Sequence, residues 1–239
     1  MRSSKKILIV GVGGLGAPAA IAIAKAHAVA RLGLIDPDPV ETSNLHRQVI
    51  YIGADAGRPK VEAATHHLRD IDADLEIEAI PRALEADNAH QIIERFDFII
   101  DGTDSPAAKF LINDVALATA TPFAYGGVLG VSGQVMTVIP GQTACIRCLF
   151  EDAPDPAEVA SCREAGILGP IAGAIGNLQA REAIAIATGR APALAGGILT
   201  YDATATPRMR FTRVTPRPGC TCGAYQRMRT TNDQAHSRL

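Results

Sequence analysis

The chain has 239 residues, 47% of them hydrophobic, with a formal net charge of −2. That length suits one well-buried core, and the near-neutral balance argues against a nucleic-acid coat or a membrane-surface protein. No apolar run reaches the roughly 18 residues a membrane span needs, because Lys25 and His27 interrupt the longest stretch, 17–30. The start, Met1 to Lys6, is basic like a leader, but the apolar segment after it is short and runs into glycines. A cytoplasmic protein is the expectation.

Taken in chain order, 5–10 reads as a strand, 14–30 as an Ala-rich helix and 32–36 as the next strand. A helix over 59–71 follows, then a half-buried strand over 75–80 with alternating polarity. Asp87 is placed to cap a helix running to Glu94, and 96–101 is another buried strand. A helix over 106–119 leads to a strand near 121–125. Repeated strand–helix alternation predicts parallel strands with helical crossovers, a Rossmann-like doubly wound α/β sheet. After Gly126 the texture changes. Residues 133–139 read as an antiparallel strand, 150–166 as a Pro- and acid-rich loop, and 170–188 as an amphipathic helix ended by Gly189 and Pro192. Two short strands, 197–202 and 208–214, complete an antiparallel C-terminal extension. One domain over 1–223 and a polar, disordered tail over 224–239 are expected.

Ligands of such a sheet sit beyond the carboxyl ends of the strands, where the loops after 10, 36 and 101 converge. The first of these loops is Gly11-Val12-Gly13-Gly14-Leu15-Gly16. Its glycines allow a tight turn, close approach of backbone to phosphate, and close packing of helix on strand, and the helix start offers N–H groups to an anion. Asp36, twenty residues past Gly16, is placed to accept from ribose hydroxyls. Loop and acid alone describe a pyridine-dinucleotide enzyme equally well. Asn44, Arg47, Gln48 and Lys60, just beyond them, shift the reading, because cationic and amide donors favour phosphate. Asp104, in Asp101-Gly102-Thr103-Asp104, suits a magnesium ion on a triphosphate, with capping of the next helix as the alternative.

The cysteines form two pairs, Cys145/Cys148 and Cys220/Cys222, and a single, Cys162. Four thiolates are the right number for a closed zinc site, against reduced cysteines packed as small hydrophobes or a redox pair. Cys162 precedes Arg163 and a glycine-rich helix start, both of which lower a thiol pKa, so it is either a reactive thiol or a bystander. His66 and His67 read as a solvated helix face rather than a metal site.

These residues carry a resemblance. Gly11 to Gly16, Asp36 to Val40, Ser43-Asn44-Leu45-His46-Arg47-Gln48, Lys60 and Asp101 to Ser105 look like the ThiF/MoeB/HesA adenylyltransferases, relatives of the ubiquitin-activating enzymes. The likeness resumes at Cys145 to Cys148, at Ser161 to Pro170 and at Pro218 to Cys222, so it covers about 5–223. It implies ATP-dependent adenylation of the C-terminal glycine of a small ubiquitin-like sulfur-carrier protein ending in Gly-Gly, with release of pyrophosphate. Arg47 and Lys60 would hold phosphates, Asn44 phosphate or substrate, Asp104 Mg²⁺ and Asp36 the ribose. The four paired cysteines would hold a structural Zn²⁺, and Cys162 would form a covalent link to the carrier. Cys220-x-Cys222 departs from the family, which usually spaces that pair by two residues. Relatives carry one or two helices before the glycine strand, from which an arginine reaches across a homodimer. Here only Arg2, Lys5 and Lys6 precede it, so one of them substitutes or that cation is missing. No rhodanese module follows 223, so a separate sulfur donor is expected. Alternatives are a relative acting on a small or tRNA-borne carboxylate, as in threonylcarbamoyl-adenosine dehydratases, an NAD-dependent oxidoreductase, and a non-catalytic carrier-binding adaptor. The charge of −2 offers no tRNA footprint, so no nucleic-acid partner is expected.

Overall fold

The apolar run 7–10 ends β1 (Ser3–Val10), and the two-residue period of a strand sends Ile7 and Ile9 to one face, Leu8 and Val10 to the other. The computed structural model describes residues 2–154 and 166–222. After β1 come α1 (Gly16–Ala26), β2 (Val29–Ile35), α2 (Lys60–Ile71), β3 (Glu76–Ile80), α3 (Ala89–Ile93), β4 (Phe98–Asp101), α4 (Pro106–Ala118) and β5 (Phe123–Leu129). These strands pair in parallel in the order β3-β2-β1-β4-β5. From β1 the chain winds outward to β3 and then returns to the other side of β1 as β4. The crevice beyond the carboxyl ends of β1 and β4 is therefore the switch point where such sheets bind ligands.

β6 (Ser132–Val138) pairs antiparallel with β5. After α5 (Ile146–Leu149) and α6 (Gly169–Ala187), β7 (Gly197–Asp202) and β8 (Met209–Arg213) extend the same sheet, also antiparallel. One face packs Ile7, Ile9, Leu32, Leu34, Phe98 and Ile100 against α1, α2 and the end of α6. The other packs Leu8, Val10, Ile99 and Phe123 against α3, α4 and the cysteine segments. A fully buried side chain of this size contributes about 1.5–3 kcal/mol, and both faces of the central strands are so filled. Among the described residues, no helix is long and apolar enough to cross a membrane.

The expected strands and helices are present, with local corrections; most of the expected loop over 150–166 lies outside the described residues. α1 is shorter than 14–30, because 11–15 are spent on a turn and His27 stops the helix in a left-handed conformation, φ 48°. Asp87 does not cap α3. Asn88 stands at that position, and its side-chain oxygen accepts from the Glu85 N–H instead. α6 has the expected apolar stripe, but Gln179 and Glu182 lie inside it, fully buried. Glu182 is satisfied by the Thr137 hydroxyl (2.9 Å) and by the N–H groups of Ala193 (3.1 Å) and Leu194 (2.7 Å). The tail over 224–239 lies outside the described residues.

Candidate active site

β1 ends in the glycine turn. Gly11 has φ +83°, a left-handed conformation that costs glycine little, and its N–H donates to the Ile35 carbonyl at 2.8 Å. A Cβ on Gly16 would overlap the Gly11 carbonyl, so α1 starts this close to the strand only because residue 16 has none. The freed N–H groups of the first helical turn then face the crevice with the positive end of the helix dipole.

Asp36 is the only carboxylate bonded to this turn among the described residues. It accepts from the Val12 N–H at 2.7 Å and from the Asp38 N–H at 2.9 Å. Burial raises its pKa, with partial relief from the Lys60 charge and the two N–H donors. Oδ2 accepts only from Val12 and keeps a second lone pair, so a sugar hydroxyl remains an acceptable partner. Lys60, at the start of α2, is buried, with its ammonium 2.7 Å from Asp38 and 3.4 Å from Asp36. It is thus a cation held at the crevice by two acids.

Residues 42–51 fold over the turn. An ideal Cβ on Gly14 would lie 4.0 Å from Arg47 Cδ, and one on Gly13 3.5 Å from Gln48 Nε2. Arg47 donates to Asn44 Oδ1 at 2.8 Å, and Asn44 Nδ2 donates to Glu41. Arg47 has no carboxylate partner among the described residues. Gln48 is 4% exposed, and its Oε1 has no partner there either. A buried acceptor without a donor costs about 1–3 kcal/mol, so a bound hydroxyl or water would be favourable here. Asp104 follows β4. Ser105, not Asp104, caps α4, its hydroxyl accepting from the Ala108 N–H. Asp104 is exposed and unbonded among the described residues, which leaves its carboxylate for a ligand.

The second constellation lies on the other face. The Sγ atoms of Cys145, Cys148, Cys220 and Cys222 all fall within 4.8 Å of one another. Cys145 faces Cys220 at 3.6 Å and Cys148 faces Cys222 at 3.4 Å, so the short second pair still reaches both members of the first. The spacing excludes disulfides, whose sulfurs lie about 2.05 Å apart, and matches the edges of a thiolate tetrahedron. Burial, then the neighbouring thiols, push Cys222 up to about 12 and Cys145 higher still. Four thiolates here need a compensating cation. Asn113 Oδ1 accepts from the Ile146 N–H and the Arg217 N–H donates to Cys148 Sγ, orienting both ligand segments.

The family model for the ThiF family matches residues 1–222. The chain belongs to the ThiF family. A sulfur carrier protein adenylyltransferase of Thermus thermophilus is 36% identical over 223 residues, covering 91% of this chain and 82% of that protein. The adenylyltransferase and sulfurtransferase MOCS3-1 of Zea mays is 38% identical, covering 92% of this chain but 47% of that protein, so the chain spans about half of such longer relatives. The crystal structure of E. coli MccB with ATP shares the fold at TM-score 0.80 and 19% identity, over 92% of this chain and 67% of that one.

Within this ThiF-family fold, sequence reasoning reached most crevice residues and missed four. Asp38 competes for Lys60. Tyr51, buried, donates from its hydroxyl to the Val12 carbonyl at 2.8 Å and pins the 42–51 segment to the glycine turn. Lys109 and Gln179 brace the 101–104 turn. Only Asp38 and Tyr51 had a local signal, being adjacent to the motifs. His67 is not a solvated face: its Nε2 is 2.7 Å from Asp55. Arg2 and Lys5 pair with Asp72 and Asp97 at the amino end of β1, the end of the strand away from the glycine turn, so neither serves the crevice of its own chain. Cys162 lies outside the described residues.

Proposed function

We propose that the chain binds ATP at the glycine turn and adenylates the C-terminal glycine carboxylate of a ubiquitin-like sulfur-carrier protein. The carboxylate oxygen attacks the α-phosphorus, the bond to the bridging β-phosphate oxygen breaks, and pyrophosphate leaves. No base is required, since a carboxylate is ionised at neutral pH. The carrying observation is Arg47: a side chain whose Cδ lies beside the glycine turn, its guanidinium held by Asn44 and free of any carboxylate among the described residues. A fixed cation there stabilises charge that grows on the departing diphosphate. Asp36 receives the ribose, the helix start and the Gln48 Nε2 amide the phosphates, Gln48 Oε1 accepts from a ligand hydroxyl or a water, and Lys60 adds a second cation once a phosphate outcompetes Asp38. Asp104 holds Mg²⁺, which supplies charge neutralisation of the phosphates.

The four thiols hold Zn²⁺, which supplies a structural tie between 145–148 and 217–222 and takes no part in transfer. The carrier ends in Gly-Gly, sulfur comes from a separate donor, Cys162 accepts the activated carrier, and the protein works as a homodimer in the cytoplasm. The names of the Thermus and maize relatives support adenylyl transfer and sulfur-carrier activation.

ATP–pyrophosphate exchange with a carrier ending in Gly-Gly tests this reading. Exchange should depend on that carrier. Exchange driven by tRNA or by a small carboxylate alone would replace the substrate assignment. Cys162→Ala should leave exchange intact and abolish a thiol-sensitive carrier adduct on gels; an unchanged adduct would remove the role of Cys162.

A further inference from the structure

Lys109 belongs to no motif that the nucleotide reading uses, yet it is the most heavily bonded cation near the crevice. Its ammonium donates to both Asp101 carboxylate oxygens, at 3.2 and 3.1 Å, and to the Gly126 carbonyl at 2.6 Å. It lies 5.1 Å from the centre of the Tyr125 ring. Side-chain exposure is 12% for Lys109 and 0% for Asp101. Asp101 Oδ1 also accepts from the Thr103 N–H (3.1 Å) and hydroxyl (2.7 Å), so the residue before Asp104 hangs on this carboxylate. From α6, Gln179 donates to the carbonyls of Asp101 (2.7 Å) and Ala124 (2.9 Å), in space left by the missing side chain of Gly126. The Gly102 N–H donates to the Val10 carbonyl and ties the turn to the glycine strand.

A buried ion pair is a poor device for stability alone, because desolvation offsets its attraction and an apolar pair of similar volume does as well or better. What the pair supplies is direction. With the ammonium in place, the Asp101 carboxylate is fixed, Thr103 is fixed by it, and the next residue leaves the turn at one angle. We propose that Lys109 is a positioning residue for the nucleotide-bound divalent cation, acting through Asp101 and Thr103 to aim the Asp104 carboxylate. The proposal rests on the reading that Asp104 meets Mg²⁺. It extends it with a residue that touches neither metal nor nucleotide.

The test is calorimetric binding of ATP with excess Mg²⁺ and with EDTA, which needs no carrier and no turnover. In the unmodified protein Mg²⁺ should tighten ATP binding. Lys109→Met should shrink that enhancement by about tenfold or more, the usual scale for groups that orient a metal ligand, and leave the EDTA affinity unchanged. Lys109→Arg should keep most of the enhancement. Thr103→Val, which strands no buried charge, should reduce it in the same direction and serves if Lys109→Met does not fold. Undiminished enhancement in Lys109→Met and Thr103→Val, or equal losses with Mg²⁺ and EDTA, would overturn the proposal. Asp104→Asn separates the two ideas. If it loses the enhancement while Lys109→Met keeps it, only the role of Lys109 falls. If it keeps the enhancement, or if the unmodified protein ignores Mg²⁺, the assignment of Asp104 falls with it.

Discussion

Gln48 carries an amide carbonyl that is buried beside the glycine turn and has no partner among the described residues, a local cost of about 1–3 kcal/mol wherever no donor meets it. A ligand donor removes that cost, so stability and binding pull in opposite directions at this residue. Gln48→Met, similar in volume and without the acceptor, should raise the melting temperature and weaken ATP binding, each by an amount matching roughly 1–2 kcal/mol. Thermal melts beside calorimetry check both signs together, and a variant that lost both would remove the idea. Arg47 presents the opposite balance. It has no acid to lose among the described residues, so Arg47→Ala should leave the melting temperature nearly unchanged. Exchange should fall by about a hundred- to a thousandfold, the usual loss on removing one donor from a developing anion. Near-normal exchange would sink the phosphate assignment of Arg47.

Between elements, polar residues inside the apolar stripes decide the fit. Glu182 of α6 accepts from the loop ahead of β7 and from Thr137 of β6, and so docks the helix on the sheet. Glu182→Ala strands three donors and should cost about 2–4 kcal/mol, read as a lowered denaturant midpoint; a midpoint within error of the unmodified chain would contradict it. Asp72, just past α2, binds Arg2 before β1 and His27 after α1. Burial pushes its carboxyl up, but those two partners outweigh burial and hold it below the ordinary 3.8. A depressed carboxylate stabilises the fold above its unfolded pKa and loses that contribution as pH falls through the folded value. The melting-temperature advantage over Asp72→Asn should therefore be full near neutrality, begin to fade near about pH 4, and be lost as pH falls through the lower folded value. An advantage that grew on acidification would refute this lock.

These residues also show why part of the molecule was hidden in the chain. Strands such as 7–10 and 98–100 announce themselves, since burial on both faces demands unbroken apolar runs. The glycine turn and 43–48 are legible because each position there has a nearby stereochemical reason. Lys109, Gln179 and Glu182 find their partners through the sheet, and Gln179 meets Asp101 from 78 residues away, so no local pattern distinguishes them from surface polar residues. Asp87 failed as a cap for a local reason: the neighbouring Asn88 folds back onto the 83–85 segment, donating to the Ala83 carbonyl and accepting from Glu85.

At the scale of the whole molecule there are two centres: the crevice beyond the carboxyl ends of β1 and β4, and the thiol cluster on one face of the sheet. The thiol cluster ties segments 75 residues apart, the kind of long closure that gains most from a metal clip. Cys148→Ser should lose about one zinc per chain by metal analysis and melt several degrees lower, while retaining ATP binding. Metal-free unmodified protein with an unchanged melt would dismiss the zinc. In the proposed function the chemistry belongs to the crevice, and it turns on whether the cations past the glycine turn receive a triphosphate or a redox dinucleotide. Equilibrium titration of the purified chain with MgATP and, separately, with NADH decides between them. Saturable MgATP binding that weakens on Arg47→Ala, with no NADH binding, is the expected result. Tight NADH binding with no response to MgATP would contradict it.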